Sequence, residues 1–393
     1  MKNRGSQYLA LGAALLLAPL TSTLAQSTWE TVDALTPWRG RDIVADAAGN
    51  FVSLALDNST SNTGAVSTSV SLSTNHGATW QTVGSIAGYA NDFTVAPNGG
   101  LFASGNRSAT VSGRAFLWQS LDHGVTWTVS DPSVGLSTVL IETDVAAGNT
   151  DAIYVCGTSS GRWMVRKGQR TPEGGLTWST VDNPALSSPI SLFVRPGAVG
   201  QPDDVLVCGA GWTVRRSLNG GATWTTLATP PAGVFSAQTA FAPNVGPDGS
   251  IYVAGRTTKT ITTQTIVNKK KVVTTTYEYG WLTRKSTNGG ANWADVDYVA
   301  NAQPASCSSI AVDAFGRVFV AGFGITTPYT WLVRGSTDGG ATWITTDSFL
   351  PTGTTRAMAM GIASDAFGNV CVVGETGDTA STYMAPIRRL AAP

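Results

Sequence analysis

The 393-residue sequence predicts an all-β protein, a closed ring of seven four-stranded antiparallel blades. Three observations carry that reading. An eight-residue string ending in Trp recurs six times, a strand–turn–strand pattern recurs seven times around it, and a short N-terminal stretch matches a strand missing from the last unit. Regular self-similarity at a period of 40 to 70 residues means one supersecondary unit stacked on itself, so the repeat sets the domain before any single residue is given a role.

The string is clearest at residues 336–343, STDGGATW. Near copies stand at 73–80 (STNHGATW), 120–127 (SLDHGVTW), 217–224 (SLNGGATW) and 286–293 (STNGGANW), with a weaker copy at 171–178 (TPEGGLTW). An Asp or Asn in third place can hydrogen-bond backbone groups two residues on, and Gly in fifth place supplies a positive φ, so the chain turns sharply. Trp in eighth place is then a large apolar anchor. The string resembles the Asp box, or BNR repeat, of sialidase-type β-propellers, over nearly the whole chain after residue 25. The resemblance implies a β-propeller in which each box is the turn between the third and fourth strands of a blade. It also implies that the ligand face is the opposite one, where the inner strands begin.

The elements follow in order. Lys2 and Arg4, an apolar run from Leu9 to Leu20, and the small-residue site Thr23-Leu24-Ala25 read as a cleavable export signal cut after Ala25. Residues 26–393 then form one domain, placed outside the cytoplasm, secreted or periplasmic. Seven strand pairs begin near Asp42 (DIVADAAGNFVSLAL), Asp92 (DFTVAPNGGLFASG), Glu142 (ETDVAAGNTDAIYVCG), Ser191, Gln238, Ser309 (SIAVDAFGRVFVAG) and Gly361 (GIASDAFGNVCVVG), and their alternation and β-branched content make them strands. Seven pairs but six boxes leave the last unit without a fourth strand. TWETV at 28–32 parallels TWQTV at 79–83, so the N-terminal strand is expected to close the last blade and remove the free edges. Box starts are spaced by 47, 51, 46, 69 and 50 residues. The long interval holds an insertion at 257–279, rich in Thr, Val and Ile, read as an extended hairpin between the second and third strands of blade five. Lys269, Lys270 and Lys271 form its solvated tip, and the hairpin is a candidate for covering a pocket or for self-association.

Composition narrows the partners. Only 13% of residues are charged and the formal net charge is zero, which excludes nucleic acid or an anionic membrane held by electrostatics. No run beyond the leader reaches membrane-spanning length. Cys156 and Cys208 occupy equivalent VCG strand sites and, with Cys307 and Cys371, read as buried small hydrophobes rather than disulfide partners. His76 and His123 are the only histidines, both in fourth place of a box, so they read as turn residues and leave no His-based triad and no zinc site. No metal and no cofactor is expected.

Candidate chemistry lies where the inner strands begin. Aligning the repeats places Asp42, Asp92 and Glu142 at one position on adjacent blades, with Ser191, Gln238, Ser309 and Gly361 completing the ring. Clustered carboxylates raise one another's pKa, as a general acid requires, and a pair a water's width apart suits inverting glycoside hydrolysis; the alternative is a structural network at a tunnel rim. Trp38, Arg41, Tyr89, Trp163 and Gln238 are the candidate ligand contacts. Trp212, Trp281 and Trp331 share one register, five residues before a box, and are read as packing. Arg215, Arg284 and Arg334, two residues before a box, are likewise read as structural. The function expected is a non-catalytic binding module or scaffold for a glycan or extracellular protein, the alternative being a glycoside hydrolase using the channel-mouth carboxylates.

Overall fold

The computed structural model describes residues 28–36, 38–57, 67–106, 115–133, 136, 141–148, 152–198, 200–227, 235–301, 306–324, 328–378 and 383–392, with only the backbone described for 106, 115, 141–143, 237, 267 and 301. The expected leader, with its cut after Ala25, lies outside the described residues.

Seven four-stranded antiparallel sheets stand as blades around an axis. In six of them the strands follow chain order, from the inner strand Trp38–Ala45 of blade one to the outer strand Ile344–Phe349 of blade six. Neighbouring inner strands touch all the way round, and Ala357–Ser364 of blade seven meets Trp38–Ala45 of blade one, so the ring is closed. Blade seven takes its outer strand, Glu30–Leu35, from the other end of the chain, with Asp33 opposite Ile387 and Thr31 opposite Arg388. The TWETV match anticipates this closure. Side chains secure it: Arg388 donates to Thr31 Oγ1 at 3.0 Å, and Arg389 pairs with Glu30 at 3.2 Å.

Burial explains why the second strand of each blade is nearly all apolar. Every residue of Asp204–Gly209 and of Val370–Thr376 is buried, because both faces of these strands are covered by adjacent blades. The hydrophobic clusters accordingly lie between blades. One joins Phe319 and Ala321 of blade six to Ile362, Val370 and Val372 of blade seven; another joins Leu206 and Val214 of blade four to Ile251 and Val253 of blade five. The repeated arginines stitch the outer part of the same seams. Arg215 reaches Asp182 of the preceding blade at 2.7 Å, Arg334 reaches Asp297 at 2.6 Å and Arg388 reaches Asp347 at 2.7 Å, whereas Arg284 binds Asp295 within its own blade at 2.6 Å.

The eight-residue turns share one hydrogen-bond pattern. Ser336 Oγ donates to Asp338 and accepts from the Gly340 N–H, and Trp343 Nε1 donates to the Gly340 carbonyl. The third residue caps differently from the sequence expectation: Asp338 accepts from the N–H of Thr342, four residues on rather than two, because the intervening pair is wound into positive φ. That same winding accounts for the histidines. His76 (φ 59°) and His123 (φ 57°) occupy the left-handed position that Gly220, Gly289 and Gly339 fill in other copies. His76 has an added role at the closing seam, with Nδ1 2.9 Å from Asp365 of blade seven and its ring edge-on to Phe367. The weaker copy at 171–178 forms a tighter turn, in which Thr171 and Gly175 exchange a backbone bond and Gly174 takes φ 85°.

All four cysteines are free and buried. The insertion extends the second and third strands of blade five, Ile251–Val267 and Lys270–Ser286, into a ribbon paired without interruption from Thr257 opposite Gly280 to Val267 opposite Lys270. Asn268 and Lys269, both at positive φ, make its two-residue turn, as hairpin twist requires.

Candidate functional site at the channel mouth

Each inner strand carries a β-bulge at the same height. At that height the ladder skips one residue in every blade: Arg41, Asn91, Thr143, Ile190, Phe241, Ser308 and Met360. A bulge re-aims side chains and bends the strand. The residues opposite the bulge explain the Gly that ends so many second strands. A β-carbon at Gly105 would stand 1.9 Å from the Tyr89 carbonyl oxygen, and one at Gly374 would stand 2.0 Å from that of Met358. The bulge brings the two backbones too close for any side chain.

A tryptophan from the preceding blade roofs four of these glycines. Trp163 lies against Gly209, Trp212 against Gly255, Trp281 against Gly322 and Trp331 against Gly374. All four indoles are buried. The packing reading therefore holds for Trp212, Trp281 and Trp331, and it extends to Trp163, which is no loop residue: it sits in the third strand of blade three, sealed between blades.

The bulges also correct the alignment of the ring. The residue following the skipped one is Asp42, Asp92, Asp144, Ser191, Ala242, Ser309 and Gly361. Asp144, not Glu142, is thus the third carboxylate; Glu142 sits two residues earlier, opposite Gly157 and level with Gly40 and Ala90. Ala242, not Gln238, holds the place in blade five, since that strand carries a second bulge that shifts the count. Gln238 lies further out, its amide hydrogen-bonded to Thr258 Oγ1 and its carbonyl accepting from Gly211 N–H at 2.7 Å. The Gly of the second strand was the available signal: counting back from its neighbour places Asp144 opposite Cys156 as Asp92 lies opposite Ser104.

The three aspartates form a belt running from blade to blade. Asp92 Oδ2 accepts from the Val145 N–H at 2.8 Å, and Asp144 accepts from the Leu192 N–H at 2.7 Å, each reaching one blade onward. The carboxyls are also hydrogen-bonded to one another, Asp42 to Asp92 and Asp92 to Asp144. Withdrawal from water is the largest influence on each and pushes all three above the usual carboxylate range; the charges of Asp144 and Asp42 add to the rise at Asp92, and that of Asp144 adds at Asp42, which rises to about 7. The belt is a set of carboxyls that burial disposes to hold their protons to higher pH than exposed ones.

Above the belt the mouth is cationic at the seam of blades seven and one. Arg39 clasps Glu375 with Nε and Nη2 at 2.5 and 2.8 Å, and Arg356 binds the same carboxylate, which is 1% exposed. Burial would raise Glu375, but these guanidiniums hold it below the ordinary range. Arg41 donates to the Tyr89 hydroxyl at 3.0 Å and lies over that ring, and burial lowers its pKa. Of the candidate contacts, Arg41 and Tyr89 are therefore brought together, Trp38 stands half-buried at the start of the same strand, and Trp163 and Gln238 belong elsewhere.

Of these residues, Arg41 and the three aspartates line an axial cavity of about 930 Å³, which runs down the inner strands as far as Asp46 and Pro97. On its wall the bulge residues are polar in blades one, two and six (Arg41, Asn91 and Ser308) and apolar in blades four, five and seven (Ile190, Phe241 and Met360), with the three aspartates on the polar arc of blades one to three. Among the described residues, no group of three or more His, Cys, Asp or Glu is disposed to hold a metal ion.

No protein-family model matches the chain, and no curated protein does. Solved structures do. The chain is similar to YCF48 bound to D1 peptide (11% identity, TM-score 0.55, covering 93% of this chain and 97% of that one) and to YCF48 from Cyanidioschyzon merolae (14%, TM-score 0.53, 92% and 98%). It is also similar to the RRP9 WD40 repeats (9%, TM-score 0.57, 92% and 97%). At these identities the likeness is one of fold, a β-propeller.

Proposed function

We propose that this propeller is a non-catalytic binding module that takes a peptide or protein segment at the channel mouth. The observation that carries it is the bulged ring: seven bulges stand at one height, and the skipped residues of six of them, mixed in character, line one fixed cavity, which is how a rigid scaffold presents a recognition surface. The peptide-bound state of YCF48, a propeller of similar fold, supports this choice over other ligands. So does the packing of Trp163, Trp212, Trp281 and Trp331 between blades, which takes four stacking platforms out of a glycan's reach. The finer assignment includes membership of the Asp-box group, on the strength of the repeated Ser-x-Asx-x-Gly-x-x-Trp turns, and export directed by residues 1–25.

A glycosidase is less well supported by the same geometry. A carboxyl raised to about 7 is the character of a general acid, but the neighbouring carboxyl of Asp92 is in hydrogen-bond contact with it. Glycosidase pairs stand about 5 Å or more apart to leave room for substrate or water. Screening the full chain on random-peptide and glycan arrays tests the proposal. Saturable retention of peptides is expected; retention confined to glycans, or aryl-glycoside turnover abolished by Asp42→Asn in a folded variant, would overturn it.

A further inference from the structure

We infer that the mouth captures the C-terminal residue of its ligand, with Arg41 taking the terminal carboxylate and Ile190, Phe241 and Met360 taking an apolar last side chain. The inference rests on the peptide-binding reading above and specifies which part of the peptide is held.

Charge supports it first. Three guanidiniums, Arg39, Arg41 and Arg356, gather at the seam of blades seven and one around the one carboxylate of Glu375. Arg39 and Arg356 share that carboxylate, while Arg41 is directed to the Tyr89 hydroxyl, a neutral partner, and its Nε is enclosed with no acceptor among the described residues. A guanidinium offers a planar fork matched to a carboxylate. The nearby aspartates are buried, which favours their neutral form and lessens the negative charge an arriving anion meets.

The shape of the wall supplies the second half. Arg41, Ile190, Phe241 and Met360 are all bulge residues, set at one height in blades one, four, five and seven. They line the same cavity. Met360 stands on the blade next to that of Arg41, so a ligand that meets both presents an anionic group beside an apolar one. The last residue of a chain does so, since its carboxylate and its side chain share an α-carbon. An internal Asp or Glu offers the carboxylate without the apolar partner, and its chain must run past the mouth in both directions. Capture of a terminal carboxylate is a recognised mode of peptide reading.

The test uses the full chain and three dye-labelled decapeptides of Gly and Ser: one ending in Leu with a free carboxylate, the same peptide amidated, and an amidated one with Asp in ninth place and Leu in tenth. Fluorescence anisotropy should show the first binding about tenfold or more tightly than either of the others, the loss of a charge-assisted contact. Arg41→Gln and the more conservative Arg41→Lys, each checked by thermal melting, should shrink the gap between free and amidated forms. Phe241→Ser should weaken the Leu peptide while sparing one ending in Ser. Equal binding of free and amidated forms overturns the inference while leaving peptide binding intact. Equal binding of the internal-Asp peptide overturns it in favour of a general anion site. Failure of all peptides to bind removes the underlying reading as well.

Discussion

The bulged ring makes a sharp prediction at Gly374. Replacing it with Ala places a β-carbon 2.0 Å from the Met358 carbonyl oxygen and 2.5 Å from Trp331 Cζ3. The first obstacle is backbone inside a closed ring and cannot swing aside. The second is an indole packed between blades. Overpacking a tight core costs about 1–3 kcal/mol, and a site blocked on two sides belongs at about 3 kcal/mol. With unfolding entropy of about 2.1 cal/mol/K per residue over roughly 370 residues, that is a fall of about 4 °C in Tm. Gly99→Ala is the control. It has φ 82° but nothing within 4 Å of its β-carbon, so it carries only the left-handed strain, about 1 kcal/mol or about 1 °C. Thermal melts followed by circular dichroism at fixed scan rate read both. A Gly374→Ala melt within 1 °C of the parent, or a Gly99→Ala loss as large, would refute the argument that the bulge excludes a side chain at this place.

Three further outcomes follow from the same geometry. Because Asp42 holds its proton to about 7 in the fold while an unfolded Asp releases it near 4, the unfolded chain loses protons first as pH rises, and stability falls across that window. Asp42→Asn keeps a neutral side chain there, so it should be about 1 kcal/mol or more better relative to the parent at pH 8 than at pH 4.5 in urea unfolding; equal effects at the two pH values would contradict a raised pKa. Asp347 is buried and Arg388 holds it across the seam of blades six and seven, so Arg388→Ala should cost about 3 kcal/mol in the same assay, whereas a loss under 1 kcal/mol would mean the pair is effectively solvated. His123→Gly relieves a left-handed non-glycine residue and should leave Tm unchanged or raise it by about 1 °C; a marked fall would give His123 a role beyond the turn.

Much of the architecture was legible because repeats expose it. The TWETV match placed Glu30–Leu35 on the last blade, and seven strand pairs against six boxes required that exchange. The hairpin at 257–279 stood out as extra length between boxes. The site was harder to read, for a reason that lies in the backbone. A bulge inserts a residue without changing composition, so aligning acids by type alone took Glu142 for the partner of Asp42 and Asp92, where the ladder supplies Asp144. The second bulge of blade five misplaced Gln238 in the same way. Trp163 was misread because a tryptophan at the start of a third strand looks the same in sequence whether it faces a ligand or roofs a glycine one blade away. The pairing of Arg39 with Glu375 joins residues 336 positions apart, and nothing local announces it.

The most direct measurement of the central claim is amide hydrogen exchange on the full chain, with and without the tightest peptide from the array. A mouth-binding propeller predicts slowed exchange at the bulges, around Arg41, Asn91, Ile190, Phe241 and Met360, with the turns at 73–80, 120–127 and 336–343 unchanged. Protection confined to those turns, on the far side of the blades, would contradict it.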